Sequence, residues 1–340
     1  MHIASPSRPE ATCAPDGPCL FALEGSREWG EAVARCLDRA LAPHEEREFE
    51  DGEHKSRPLA SVRGRDVYLL HSLYGDAHRS VNDKLCRLLF LVGALKDASA
   101  ASVTAVVPYL AYARKDRRSK ARDPVTTRYV AALLESVGMD RIVTLEVHNP
   151  AAYQNAFRRP AEHLEMHGLM AAHFAQLVGP RDAVVVAPDA GGIHRADAFR
   201  QRLATLLGRP VGSAFAEKHR SEGVVSGDLF VGDVAGRVAI VVDDLIGSGT
   251  TLARTAAACR RRGAEAVHAG AAHGLFTGDA ARVLADDALA GVTVTDSVPP
   301  LRLPPGPARD KLTVLPTAPL FAEAIRRMHA GGSLTDLVQA

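Results

Sequence analysis

A chain of 340 residues with 46% hydrophobic content has enough core for one large or two medium domains. Its 41 basic and 40 acidic side chains leave a net charge of +1. That balance excludes a global electrostatic attraction to nucleic acid or to an anionic membrane, so any anion site must be local. The longest apolar run, residues 85–95, is broken by Arg87 and reaches about half of the roughly 20 residues that a membrane span needs.

In chain order, residues 1–19 have neither a basic n-region nor an apolar h-region. Pro6, Pro9, Pro15 and Pro18 lead us to expect a mobile tail rather than a signal peptide. Cys13, Cys19, Cys36, Cys86 and Cys259 show no metal-type spacing, so reduced thiols and a cytoplasmic setting are expected. Short apolar runs at 20–23, 67–70, 103–107, 142–145, 183–187, 238–242 and about 267–271 read as buried strands. Helical periodicity predicts helices at 28–41, 83–95, 126–137, 166–177 and 193–206, an Ala-rich one ending near Gly263, and a terminal one at 318–329. REFEDGEHKSRP (47–58) and AEKHRSEG (216–223) read as polar loops. Strands alternating with helices imply an α/β fold with parallel sheets and right-handed crossovers, and the polar stretch 160–167 is the expected joint between two similar halves.

The chemically most specific stretch is RVAIVVDDLIGSGTT, residues 237–251. Asp243 and Asp244 close an apolar strand, and Gly247, Ser248, Gly249, Thr250 and Thr251 form a turn into a helix. Such a turn offers backbone N–H groups and hydroxyls to a phosphate. Paired carboxylates accept hydrogen bonds from vicinal hydroxyls, so a sugar phosphate suits both halves. PDAGG repeats the logic: Asp189 stands at a strand end before Gly191 and Gly192, although an acid that merely N-caps a helix would look the same. PYLAYARKDRRSKARDP (108–124) follows a strand and is rich in Arg and Lys. It is either a solvated basic loop or, through Arg114, Lys115 and Arg117, a polyphosphate clamp. His148 lies just past another strand end and is a candidate metal ligand. Lys218 and Arg220 stand on alternate residues, so an extended backbone points both cations the same way, as neutralising a phosphoryl group in flight requires.

In this order, the segments resemble the ribose-phosphate diphosphokinases (PRPP synthetases). FEDGE looks like that family's adenine loop, PYLAYARKDRRSKARDP its second ATP region, and VHN its metal-binding histidine segment. PDAGG looks like its second metal and ribose-phosphate segment, EKHR its catalytic loop, and VVDDLIGSGTT its sugar-phosphate site. The resemblance spans residues 20–337 and implies two doubly wound phosphoribosyltransferase-like domains with mainly parallel sheets. They are an N-terminal ATP-binding domain at 20–165 and a sugar-phosphate domain at 166–317, with the C-terminal helix, 318–338, packing back on the first.

The implied reaction transfers the β,γ-diphosphoryl group of MgATP to the anomeric hydroxyl of ribose 5-phosphate, giving PRPP and AMP. The resemblance assigns ATP to Phe49, Asp51, Glu53, Arg114, Lys115 and Asp116, and Mg²⁺ to His148 and Asp189. It assigns catalysis to Lys218 and Arg220, and the ribose phosphate to Asp189, Asp243, Asp244 and 247–251. A homo-oligomer, hexamer or dimer, is expected, with phosphate and ADP as effectors acting near Ser333 and Thr335 of GGSLTDLV. Nucleic acid and membrane are not expected partners. The chain departs from the family at Gly247, where an acid is usual, at Lys115, where glutamine is common, and at Glu146, Val147 and Asn149 around the histidine; PAAYQNAF after it is also altered. Two other readings stay open: a PRPP-consuming phosphoribosyltransferase, and a non-catalytic regulatory relative.

Overall fold

The computed structural model describes residues 11–12, 17–221, 224–335 and 337, with the side chains of 11–12 and 217–229 left out. Most of the N-terminal tail therefore lies outside the described residues. The chain packs as two compact units, one from the described residues of Met1–Leu164 with Thr317–Val338, the other chiefly Glu165–Pro316.

In the first unit, β1 (Ala11–Thr12) pairs with β5 (Ala60–Ser61). The main elements are β2 (Cys19–Ala22), α1 (Arg27–Cys36), β6 (Asp66–Leu70), α2 (Val81–Asp97), β7 (Ser102–Val107), α3 (Thr126–Ser136), β8 (Arg141–Leu145), α4 (Pro150–Ala156) and β9 (Ala161–Leu164). Strands β2, β6, β7, β8 and β9 form one parallel sheet in that order. Strand side chains alternate between its two faces. Phe21, Val67, Leu69, Val103 and Ala105 meet α2, α3 and α4, whereas Leu20, Tyr68, Leu70 and Val106 meet α1 and the C-terminal helix. Helix α1 stops at Cys36, five residues before the expected end. Asp38 adopts φ +53° and the Arg39 N–H returns to the Ala34 carbonyl at 2.9 Å, which turns the chain out of the helix. Cys19 is disulfide-bonded, which corrects the expectation of reduced thiols at that position; Cys36, Cys86 and Cys259 are free.

The segment expected to be a polar loop is an antiparallel hairpin, β3 (His44–Glu48) and β4 (His54–Pro58). Its ten residues are nearly all charged or polar and lack the apolar alternation by which a strand is recognised.

The second unit contains α5 (His167–Val178), β10 (Ala183–Ala187), α6 (Ile193–Leu207), β11 (Gly212–Ser221), β12 (Val224–Val231), β13 (Val238–Ile246), α7 (Thr250–Arg261), β14 (Ala266–Gly274), α8 (Ala280–Leu284), β15 (Gly291–Thr295), α9 (Pro307–Asp310) and β16 (Leu312–Leu315). The sheet order is β12-β11-β10-β13-β14-β15-β16, parallel except for the β11–β12 pair. Helices α5 and α6 cover one face of the sheet, and α7, α8 and α9 the other. After β10 the chain adds β11 to one side and β13 to the other, so a topological switch point lies between β10 and β13. Of residues 216–223, expected to be a loop, 216–221 instead form the end of β11, and 222–223 lie outside the described residues.

Helix α10 (Ala318–His329) returns to the first unit. The Trp29 indole N–H donates to Thr317 Oγ1 at 2.9 Å, the Trp29 and Phe321 rings meet edge to face at 5.1 Å, and His329 Nδ1 lies 2.7 Å from Asp66 Oδ2. Among the described residues no helix is long and apolar enough to cross a membrane.

Candidate active site

Strand β13 runs four residues further than the apolar pattern predicts. Pairing with β10 ends at Val241, while pairing with β14 continues to Ile246. Asp243 and Asp244 therefore lie on a strand extension whose β10 side is open, at the switch point where α/β sheets bind ligands. Asp244 is buried and Asp243 half-buried. Burial and the neighbouring Asp244 charge push the Asp243 carboxyl up to about 8, and Arg195 works in the opposite direction. Arg195, in the first turn of α6, places Nη1 3.8 Å from Asp243 Oδ1 and 4.0 Å from Asp244 Oδ1. Sequence reasoning did not single out this cation; its only signal is a position a few residues past the Gly-Gly turn.

The next loop is built for close backbone approach. Gly249 is the N-cap of α7 at φ +76°, and a Cβ there would stand 2.7 Å from Leu284 Cδ2, so only glycine fits. Ser248 Oγ is 2.9 Å from Thr250 Oγ1, which brings two hydroxyls to the helix N-terminus with Thr251 next in line. A Cβ on Gly247 would meet only Thr277 Oγ1, at 3.7 Å, and the loop is tied to the segment after β14 when the Gly247 carbonyl accepts from the Thr277 N–H at 3.0 Å. A Cβ is thus sterically allowed at this position. Asp189 lies at the end of β10, exposed, with Oδ1 accepting from the Gly192 N–H at 3.0 Å, and so caps the short turn Ala190–Gly192. Lys218 and Arg220 fall in β11, opposite Asp228 and Val225 of β12. Their side chains lie outside the described residues.

In the first unit, β7 and β8 are neighbours, so the basic segment and the histidine segment emerge side by side. Asn149 joins them: its Nδ2 donates to Asp116 Oδ2 at 2.6 Å, while its Oδ1 accepts from the Ala152 N–H at 3.1 Å and caps α4. The departure at this position thus serves a helix cap and a cross-link. His148 is exposed beside it. The basic loop is clasped by Asp123, whose Oδ2 accepts from Lys115 Nζ at 2.5 Å, Ser119 Oγ at 3.0 Å and the Lys120 N–H at 2.9 Å. The Lys115 hydrogen bond, first among these contacts, holds the Asp123 carboxyl down at about 2. Arg114 is exposed. Phe49, Asp51 and Glu53 form the exposed tip of the β3–β4 hairpin, closed by the Phe49 N–H to the Glu53 carbonyl at 2.7 Å, with the Arg47 guanidinium 5.1 Å from the Phe49 ring centroid. Among the described residues no cluster of three or more His, Cys, Asp or Glu side chains is arranged to hold a metal ion.

Residues 18–138 match the family model for the N-terminal domain of ribose phosphate pyrophosphokinase, and residues 228–339 that for the phosphoribosyl synthetase-associated domain. The chain is 38% identical over 319 residues to the ribose-phosphate pyrophosphokinase of Caldanaerobacter subterraneus subsp. tengcongensis, covering 94% of this chain and 96% of that one. The chain belongs to the ribose-phosphate pyrophosphokinase family. The ribose-phosphate pyrophosphokinase of Listeria ivanovii is 35% identical over 321 residues, 94% of this chain and 96% of its own. The crystal structure of phosphoribosylpyrophosphate synthetase from Mycobacterium smegmatis superposes with a TM-score of 0.82 at 35% identity, covering 93% of this chain and all of that one. Membership of the ribose-phosphate pyrophosphokinase family makes this chain an enzyme of diphosphoryl transfer with a two-domain, phosphoribosyltransferase-like fold.

Two predictions follow from the geometry of the acid pair and its loop. Gly247→Ala should fold with stability within about 0.5 kcal/mol of the parent, because an added Cβ meets nothing closer than Thr277 Oγ1 at 3.7 Å. Gly249→Ala should lose about 1–3 kcal/mol from strain and overlap. Urea unfolding of the two variants checks the contrast. The second concerns pH. An unfolded aspartate titrates near 4, and the folded Asp243 carboxyl near 8. The folded state therefore favours the protonated acid, and stability falls as pH rises through this window. In protein without added substrate, the melting temperature of Asp243→Asn minus that of the parent should grow from pH 5 to pH 8 and then level off, reaching about 3 °C or more. A difference that stays flat across that range would mean that Asp243 is an ordinary ionised carboxylate.

Proposed function

We propose that each unit serves one substrate of the family's reaction, the first unit ATP and the second ribose 5-phosphate. The reaction forms PRPP and AMP: the anomeric oxygen attacks the β-phosphorus, the bond from that phosphorus to the α,β-bridging oxygen breaks, AMP leaves, and the hydroxyl proton passes to solvent. The observation that carries the sugar-phosphate half is the acid pair and hydroxyl-rich loop at the switch point between β10 and β13. Asp243 and Asp244 accept hydrogen bonds from the ribose hydroxyls, and 247–251 hold the 5-phosphate with N–H groups and the Ser248, Thr250 and Thr251 hydroxyls.

For ATP, Phe49, Asp51 and Glu53 recognise adenine. Arg114 and Lys115 face the phosphates, with Asp116 held in place by Asn149. Lys115 must exchange its Asp123 partner to take part, so Arg114 is the cation available first. Magnesium is carried in largely by phosphate oxygens and needs only one or two protein groups. His148 and Asp189, both exposed at strand ends, offer an imidazole nitrogen and a carboxylate oxygen suited to that use. The ion's contribution is to neutralise phosphate charge. Lys218 and Arg220 stabilise charge that develops on the diphosphoryl group in flight. A homo-oligomer, hexamer or dimer, regulated by phosphate and ADP through Ser333 and Thr335, and a cytoplasmic location complete this reading. It is supported by family membership.

Measuring AMP released from ATP and ribose 5-phosphate, against pyrophosphate released from PRPP and a base, separates this reading from a PRPP-consuming transferase. Lys218→Ala and Arg220→Ala should each lower turnover by about 100- to 1000-fold with ATP binding near normal, as removal of one transition-state contact does. Lost ATP affinity with preserved turnover would make either residue a ground-state binder.

A further inference from the structure

The β3–β4 hairpin forms a two-stranded sheet of its own, separate from the five-stranded sheet of the first unit. An isolated hairpin is at best marginally stable, and its direction is set by what its side chains grip. Here the grip is on α2. Arg87 is almost wholly buried, at 4% exposure, and its Nη2 donates to Glu48 Oε2 at 2.8 Å while Nη1 lies 3.8 Å from Glu46 Oε2. Glu46 and Glu48 are two apart on β3 and share a face. The other oxygen of Glu46 accepts from the Glu24 N–H at 2.7 Å and meets His44 Nε2 at 3.1 Å, which ties the same carboxylate to the body of the unit. One helical turn beyond Arg87, Phe90 stacks on His54 at 5.2 Å between centroids and 23° between planes. His54 is in turn the ladder partner of Glu48. The two contacts thus grip opposite strands of the hairpin at the rung next to its tip, and Phe49 is the following residue.

A buried guanidinium is costly unless it is paired, so Arg87 holds the hairpin in the one orientation that supplies both carboxylates. We propose that Arg87, paired with Glu48, is a positioning residue for nucleotide recognition: it aims the Phe49–Glu53 tip from α2 and touches no substrate itself. This rests on the reading of that tip as the adenine-recognising element. The pair therefore contributes to ATP affinity and not to the chemical step or to binding of the sugar phosphate.

Steady-state kinetics of Arg87→Ala, Glu48→Ala and the double variant, with Phe49→Ala alongside, test this. Each clamp variant should raise KM for ATP by about 5- to 10-fold, with kcat at saturating ATP and KM for ribose 5-phosphate within two-fold of the parent. The double variant should be no worse than the poorer single one, because both remove one interaction. Should Arg87→Ala fail to fold, Glu48→Ala carries the test, since the Glu48 side chain is 57% exposed and tolerates truncation. An unchanged KM for ATP in the clamp variants, with a raised one in Phe49→Ala, would overturn the positioning role and leave the tip's assignment standing. An unchanged KM in Phe49→Ala would overturn that assignment and the inference with it. Additive effects, or a parallel fall in kcat, would reduce the clamp to a general structural contact and overturn it as well.

Discussion

Like charges on successive residues at the end of a buried strand are the constraint around which the second unit is arranged. Asp243 and Asp244 are withdrawn from water, and repulsion between them favours retaining a proton or acquiring a partner. Arg195 answers from the first turn of α6, with Nη1 3.8 Å from Asp243 Oδ1 and 4.0 Å from Asp244 Oδ1. Vicinal sugar hydroxyls are donors that paired carboxylates can accept from. The switch in strand order makes this possible, because it leaves the β10 side of the β13 extension without a ladder partner.

The first unit uses a different device. Its strands follow one another in simple order, and its chemistry lies where adjacent strands β7 and β8 end. Charge there is organised by internal contacts. Asp123 folds the basic run into a compact loop around its own carboxylate, and Asn149 fastens that loop's Asp116 to the histidine segment. A stretch that composition alone would leave as a solvated basic loop is a shaped surface, from which Arg114 projects as an exposed cation.

Much of the fold was readable because buried parallel strands carry uninterrupted apolar runs, as at Ala183–Ala187, and because helices such as Val81–Asp97 carry both periodicity and a capping box. Elsewhere tertiary contacts decide, and local sequence carries no signal for them. His44–Glu48 and His54–Pro58 carry almost no apolar residues, and what makes them strands is pairing with each other and a grip from α2. The end of β11 looks like a loop by composition, and it pairs with β12. Helix α4 was signalled by Asn149 followed by Pro150, an N-cap and first-turn pair that the altered PAAYQNAF segment obscured. At the site, the acids and the Gly/Ser/Thr loop stand contiguous in sequence and were found together. Arg195 is some fifty residues away and joins them only through the packing of α6 on the sheet, and Arg87 acts on a hairpin that composition did not reveal.

The central claim is that the acid pair serves the sugar phosphate and not the nucleotide. Isothermal titration of ribose 5-phosphate and of ATP, each alone, at pH 9, above the range in which the Asp243 carboxyl holds its proton, into the parent and into Asp243→Asn tests it most directly. The account predicts that the variant binds ribose 5-phosphate more weakly by about 1–3 kcal/mol, the worth of a charge-assisted contact made neutral, with ATP affinity unchanged. An equal loss for both ligands, or a loss for ATP alone, would contradict it.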